Sequence, residues 1–154
     1  SGPIIDQLAS QGNPGAFSFN IPNVGDLNFS FSGLKTSILY FLQKEVKKNA
    51  EFINSNKNDL CASIQYTIVS YLVSQLEKAI IETGVKNIGI AGGVAANSAL
   101  RNELVELANK HKGGAFIPKF EYCTDNAAMI AFAGKIKFDQ EKFGTLTDVC
   151  FTKK

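Results

Sequence analysis

The sequence predicts an α/β fold that contains more helix than sheet. Two short apolar runs, at residues 85–90 and 114–118, flank an amphipathic segment at 98–111, which is the order of a strand–helix–strand unit with parallel strands. Segments with apolar side chains at helical spacing lie before and after this unit. The 154 residues fit one domain, and the predicted strands are too few for a complete doubly wound sheet.

The first 28 residues are predicted to form a short helix and a long loop. Residues 3–10 favour a helix with Pro3 near its start, where a missing N–H costs least. Residues 11–28 contain three glycines and two prolines and therefore predict a surface loop. Loops of this length are usually functional or disordered.

Residues 29–84 are predicted to be the helical portion. Phe29 and Phe31 alternate with serines in the manner of a strand, and Ser32 is the expected N-cap of a helix over about 33–48. A longer helix is expected to be capped by Asn58 or Asp59 and to stop at Gly84. Its apolar side chains recur at helical spacing at Ile64, Ile68, Leu72, Leu76 and Ile80.

Residues 85–154 are predicted to hold the strand–helix–strand unit and one more helix. The segment VKNIGIAGG is a short buried strand, SALRNELVELANKH is an amphipathic helix, and GAFIP is the second strand. The segment NAAMIAFAGKIKF predicts the last helix, and DVCF predicts an edge strand. The apolar face expected on the amphipathic helix consists of Leu100, Leu104, Leu107 and Ala108.

Composition and charge narrow the function only slightly. A hydrophobic content of 45% and a charged content of 19% are ordinary for a soluble globular protein, and a net charge of +2 is too small to indicate nucleic-acid binding. The three cysteines, Cys61, Cys123 and Cys150, are widely spaced, which argues against a disulfide framework or a zinc knuckle and favours the cytoplasm. Neither a signal peptide nor a membrane span is visible.

A glycine turn follows the first predicted strand, in the stretch IGIAGGVAANSALR. Ligands of open α/β sheets bind beyond the carboxyl ends of strands, and a following helix offers unpaired N–H groups to phosphates or carboxylates. Gly92 and Gly93 would then admit a nucleotide, with the Asn97 amide facing its base or ribose. The alternative is tight packing of the strand against the helix, with Asn97 as an N-cap. The pattern matches neither GxGxxG nor GxxxxGK.

A second polar turn, CTDN, follows the second predicted strand and should lie beside the glycine turn. Asp125 is a candidate metal ligand or catalytic carboxylate there, and the alternative is that Thr124 or Asp125 merely caps the next helix. Cys123 is either a reactive thiolate or, more commonly, a buried inert residue. His111 is expected to complement the dipole at a helix C-terminus. With one histidine and no cysteine cluster, the chain cannot build a three-ligand zinc site by itself. A Ser-His-Asp or Cys-His arrangement would have to use His111, and nothing in the sequence places it near a candidate nucleophile.

Four segments, GPIIDQLA, FSFSGLKTS, IAGGVAANSALR and FEYCTDNAAMIAFAG, together resemble the C-terminal half of the tRNA N6-adenosine threonylcarbamoyltransferase family. These proteins were long described as O-sialoglycoprotein endopeptidases. The resemblance covers nearly the whole chain, and FSFSGLKT and CTDNAAMIA are its most specific parts. It implies a partial lobe of the actin and sugar-kinase superfamily, with ribonuclease-H-like topology and the N-terminal lobe missing. An opening Ser-Gly-Pro with no strand before it fits a cut chain.

The resemblance implies a reaction and its ligands. The family transfers a threonylcarbamoyl group from an adenylate to the N6 amine of the adenosine beside the anticodon in tRNAs that read ANN codons. Asp125 matches a ligand of one divalent metal, iron or zinc, whose two histidine ligands lie outside this chain. Asn97, with Gly92 and Gly93 in the same motif, matches the nucleotide-contacting position, and Gly2 and Asp6 match positions near the ribose.

The resemblance also implies partners. Bacterial members act in the cytoplasm with tRNA, a paralogous scaffold protein and a small P-loop ATPase. We expect this chain alone to be inactive and prone to self-association, because missing strands would leave an edge and an apolar face uncovered. Two alternatives remain: a metalloprotease, for which the HExxH pattern is absent, and a non-catalytic nucleotide-binding or scaffold module.

Overall fold

The computed structural model describes residues 2–22, 24–145 and 147. The chain divides into two compact units, of which the first ends at Cys123 and the second begins at Thr124, and each is described by itself. Ser1, Cys150 and the predicted edge strand DVCF lie outside the described residues. The elements in chain order are α1 (Gly2–Ala9), α2 (Phe31–Lys48), α3 (Phe52–Ser55), α4 (Lys57–Thr83), β1 (Ile88–Gly89), α5 (Ser98–Lys110), β2 (Ala115–Phe116) and α6 (Ala127–Asp139).

The predicted short helix and long loop are both present. Helix α1 covers residues 3–9 of the expected segment 3–10, and the described residues of 11–28 contain no helix or strand. The loop is nevertheless held against α4, because the Asn13 N–H donates to Asp59 Oδ1 over 2.8 Å and the Phe17 N–H donates to Ser63 Oγ over 3.1 Å. The Phe17 ring also packs at 5.6 Å between centroids from the ring of Phe52.

The start of α2 differs from the prediction. Ser30, rather than Ser32, is the N-cap, and its Oγ accepts a hydrogen bond from the Gly33 N–H. Phe29 and Phe31 form no strand; their rings stack 5.5 Å apart. The Ser30 N–H donates to the Tyr71 hydroxyl over 3.0 Å, a contact across 41 residues that no local pattern contains.

The long helix α4 begins earlier than expected. Its N-cap position is Asn56, which makes no side-chain capping bond, so the prediction of Asn58 or Asp59 as the cap is wrong. The Asp59 carboxylate bonds to the loop instead of its own helix. Gly84 ends the helix in the left-handed conformation at φ +70°, which confirms the predicted stop. The short helix α3 was not predicted.

Strands β1 and β2 pair in parallel, as predicted, with Ile88 opposite Ala115 and Gly89 opposite Phe116. Helix α5 connects them and buries the whole predicted apolar face. This face and α4 form the main core. Replacing one of its leucines by alanine would lower the free energy of unfolding by about 2–5 kcal/mol. The buried core residues are Val69, Ile80, Ile88, Leu100, Leu104, Leu107 and Ala108.

The first unit is therefore helix-rich α/β with a short parallel sheet, as predicted at that level. In the second unit α6 is the predicted last helix, and none of its residues is buried. Among the described helices, none has the length and apolar character that crossing a bilayer requires.

Candidate nucleotide-binding turn

The glycine turn after β1 is open rather than tightly packed. Gly92 lies at φ +78°, where residues with a Cβ are strained, so its backbone conformation requires glycine. Gly93 starts a short 3₁₀ turn (Gly93–Ala96) and has no positive φ. A Cβ added to either glycine would meet no described atom within 4 Å. Packing of the strand against the helix therefore does not explain these two glycines.

Neighbouring Gly89 provides the contrast. A Cβ there would lie 3.5 Å from the backbone oxygen of Phe116 on the paired strand, in ordinary van der Waals contact. Among the described residues, neither backbone conformation nor packing accounts for the space in front of Gly93, and the backbone there is accessible.

Asn97 is the N-cap of α5, as one of its two interpretations predicted. Its Oδ1 accepts from the Leu100 N–H over 2.9 Å. Its Nδ2 donates to Gln65 Oε1 over 2.8 Å and, more weakly, to Asp6 Oδ1 over 3.4 Å. The half-buried amide is therefore already oriented by protein groups, and a second lone pair on Oδ1 is its spare capacity for a ligand.

Asp6 joins α1 to the start of α5. Its Oδ2 accepts from the Ser98 N–H over 3.3 Å, and its Oδ1 accepts from the Ser98 hydroxyl over 2.9 Å. The expectation that the start of this helix offers free N–H groups to a phosphate is therefore wrong for Ser98 and Leu100. A carboxylate already lies on the positive end of the helix dipole and disfavours a second anion there.

The structure brings two of the predicted site residues into contact, and a third lies one helical turn away from one of them. Asp6 and Asn97 meet at the start of α5. Gly2 is exposed at the first position of α1, one turn before Asp6, and a Cβ on it would meet no described atom within 4 Å. Sequence reasoning missed Gln65 as a partner of Asn97. The only signal for Gln65 in the sequence was that a polar residue interrupts an otherwise apolar stretch of helix.

Arg101 was also missed. Its guanidinium donates to the carbonyl of Ala95, in the 3₁₀ turn, and to groups that follow β2. One of these is the sulfur of Cys123, which is 1% exposed and is therefore buried, as one of its two interpretations predicted.

The CTDN segment continues into the second unit, where Asp125 is exposed. Asn126 is the N-cap of α6, because its Oδ1 accepts from the Met129 N–H over 3.1 Å. The alternative that Thr124 or Asp125 caps the helix is therefore wrong. No described residue of this unit donates a hydrogen bond to the Asp125 carboxylate.

The described residues do not form a metal site by themselves. Within 2–22, 24–145 and 147, no three His, Cys, Asp or Glu side chains come together. The Asp125 carboxylate is exposed, and carboxylate oxygens are among the ligands that divalent cations take in proteins.

His111 lies at the C-terminus of α5, as predicted. Its Nε2 is 2.7 Å from Glu77 Oε1, and Lys110 Nζ is 2.8 Å from the same oxygen. Hydrogen bonds from Lys110 and then from His111 lower the pKa of the Glu77 carboxyl, because both favour its charged form. This ion-pair cluster links α4 to the end of α5.

Fold and turn define the class of protein: a helix-rich α/β protein whose first strand is followed by an exposed glycine turn. A model of the tRNA N6-adenosine threonylcarbamoyltransferase family matches residues 1–132. A transferase of that name from Riemerella anatipestifer is 52% identical over 147 residues, which cover 96% of this chain and 43% of the relative. The chain belongs to the tRNA N6-adenosine threonylcarbamoyltransferase family.

Two further relatives with the same name support this assignment. The protein from Christiangramia forsetii is 52% identical over 142 residues, which cover 92% of this chain and 42% of the relative. The protein from Phocaeicola vulgatus is 47% identical over 152 residues, which cover 99% of this chain and 45% of the relative. The chain therefore spans less than half the length of these relatives. Their common name does not favour the metalloprotease alternative.

Proposed function

We propose that this chain forms the nucleotide-binding part of a transferase that modifies tRNA. In the reaction, the N6 amine of the adenosine beside the anticodon attacks the carbamoyl carbonyl of threonylcarbamoyl-adenylate. A C–N bond forms, the bond from the carbonyl carbon to the phosphate oxygen breaks, AMP leaves with that electron pair, and the amine loses one proton. The tRNAs are those that read ANN codons.

The open space in front of Gly93 supports this proposal best. The position has no positive φ, and a side chain there would touch no described atom, so the described residues do not require glycine. A ligand lying against the backbone would require it, because any Cβ would occupy the ligand's space. The adenylate is the ligand that family membership suggests for this turn.

The hydrogen bonds of Asp6 and Asn97 indicate which part of the adenylate each end of the turn would take. Asp6 places a negative charge at the start of α5, which favours hydroxyl donors such as those of ribose and disfavours phosphate oxygens. We therefore place the ribose near Asp6 and Asn97, with Gly2 one turn away. The phosphate belongs nearer the backbone of Gly92 and Gly93.

Asp125 is proposed as one ligand of a divalent metal, iron or zinc, with the remaining ligands supplied by protein outside this chain. A bound metal of this kind would act as a Lewis acid on the carbamoyl and phosphate oxygens. This chain contributes an exposed carboxylate that its own helix cap does not use.

The proposed setting of the reaction is the cytoplasm, with a paralogous scaffold protein and a small P-loop ATPase as partners. We also propose that this chain, without the remainder of its relatives' length, is inactive and associates with itself. The exposed apolar side chains on α6, such as Ile130 and Phe132, are a surface suited to self-association.

The test is a chimera in which this chain replaces the matching segment of the Riemerella anatipestifer relative. Mass spectrometry of tRNA would measure threonylcarbamoyl transfer, and calorimetry would measure binding of a non-hydrolysable threonylcarbamoyl-adenylate analogue to the chimera and to this chain. We expect transfer by the chimera, and loss of analogue binding in its Gly93→Val variant. A folded chimera that binds no analogue would refute the proposed function.

A further inference from the structure

The side chain of Arg101 connects the glycine turn to the segment that follows β2. Its Nε donates to the Ala95 carbonyl over 2.6 Å, and its Nη2 donates to the Pro118 carbonyl over 2.7 Å and to Cys123 Sγ over 3.1 Å. Ala95 lies two residues before Asn97, within the 3₁₀ turn. One planar group thus ties together two loops that emerge from neighbouring strands.

The chemistry of the site requires arginine. The fork of a guanidinium donates in several fixed directions at once, whereas a lysine ammonium on a flexible stem is a single point charge. The group is half-buried, and its central carbon lies 3.9 Å from the centroid of the Phe120 ring, so its plane is also held from one face. Hydrogen bonds from a charged donor are among the stronger ones in proteins.

The Ala95 carbonyl needs this donor. Ala95 is 1% exposed, so water cannot readily replace the guanidinium if it is removed. The 3₁₀ turn is short, and the glycines before it have no side chains that pack against the protein. Arg101 is therefore the side chain that anchors this turn from α5.

We propose that Arg101 is a positioning residue for the adenylate site. It holds the turn from Gly92 to Asn97 in the conformation that binds the ligand, and it does not contact the ligand itself. This inference rests on the proposed function for the identity of the ligand. It goes beyond that function by assigning the rigidity of the turn to one side chain on α5.

The first experiment does not depend on activity. Amide hydrogen exchange would be compared between this chain and its Arg101→Lys variant, which keeps the charge and loses the fork. We expect exchange at Ala95 and Asn97, whose N–H groups donate to the carbonyls of Gly92 and Val94, to become about tenfold faster, consistent with loss of one charged hydrogen bond, while the core of α5 around Leu104 is unchanged. Unchanged exchange at these two amides would overturn the inference.

The second experiment measures kinetics in the chimera. We expect Arg101→Lys to raise the KM for threonylcarbamoyl-adenylate about tenfold and to change kcat less than threefold. Ile80→Val, a core substitution in α4, is the matched control for a simple loss of stability. An equal rise of KM in Ile80→Val, or no rise in Arg101→Lys, would refute the positioning role. An unmodified chimera that binds no analogue would instead refute the proposed function, and the exchange result would still stand.

Discussion

The carboxylate of Asp6 accepts hydrogen bonds from both the hydroxyl and the backbone N–H of Ser98, over 2.9 and 3.3 Å. The two residues are 92 positions apart, so this contact fastens α1 to the start of α5. Among the described residues, Asp6 is the only carboxylate that we find hydrogen-bonded to the N-terminus of α5. It therefore places a negative charge beside the candidate turn. The same side chain therefore joins α1 to α5 and sets the charge beside the candidate turn.

Replacing Asp6 should weaken the fold slightly. We expect Asp6→Ala to lower the free energy of unfolding by about 1 kcal/mol, because α5 loses a carboxylate and a hydrogen-bond acceptor at its N-terminus. Urea denaturation followed by circular dichroism would measure it. Glu106→Gln, which removes a carboxylate from the exposed face of α5, is the control and should stay within about 0.5 kcal/mol of the unchanged chain. Equal effects of the two substitutions would contradict this role.

The two glycines of the turn should respond differently to alanine. Gly92→Ala forces a side chain into a positive-φ conformation and should destabilise the fold by about 1 kcal/mol or more. Gly93→Ala meets no described atom and should leave stability unchanged or raise it by about 0.4–1 kcal/mol. Thermal unfolding of both variants tests this difference. In the chimera, Gly93→Ala should still weaken analogue binding, and full affinity would show that no ligand uses this space.

Asp125 should be dispensable for folding and essential for transfer. Because Asn126 caps α6, Asp125→Ala should change the free energy of unfolding by less than about 0.5 kcal/mol. The same change in the chimera should abolish threonylcarbamoyl transfer and reduce bound metal, measured by mass spectrometry of the tRNA and of the metal. Glu121→Gln, an exposed carboxylate four residues earlier, is the matched control. Transfer by Asp125→Ala at the unchanged rate would eliminate the metal-ligand role.

The cluster of Glu77, Lys110 and His111 predicts a pH dependence. The pKa of Glu77 is lowered from its ordinary value of 4.5, so the stabilisation from its charged form is complete above that value. This stabilisation is lost as the pH falls through the lowered pKa. We expect the difference in stability between the unchanged chain and Glu77→Gln to be larger at pH 6 than at pH 3. Glu82→Gln, on the exposed face of α4, is the control substitution, and a difference for Glu77→Gln that is the same at both pH values would contradict the ion-pair role.

Helix α5 was predictable because its information is local. Its leucines recur at helical spacing, so they share one face, and all of them are buried. The capping bond of Asn97 spans three residues, and the stop at Gly84 needs only one residue that tolerates positive φ. The N-cap of α2 was not predictable, since Tyr71 binds the backbone of Ser30 across 41 residues.

The sequence by itself determined the helix-rich α/β class, the parallel strand pair and the family, because periodicity, capping and motif identity all lie within short segments. Only the tertiary structure decided that Gln65 and Asp6 orient Asn97, that Arg101 anchors the glycine turn, and that Gly93 faces open space. Each of these facts depends on how α1, α4 and α5 pack. Packing selects side-chain partners from distant parts of the chain by shape and hydrogen-bond complementarity, which no local pattern encodes.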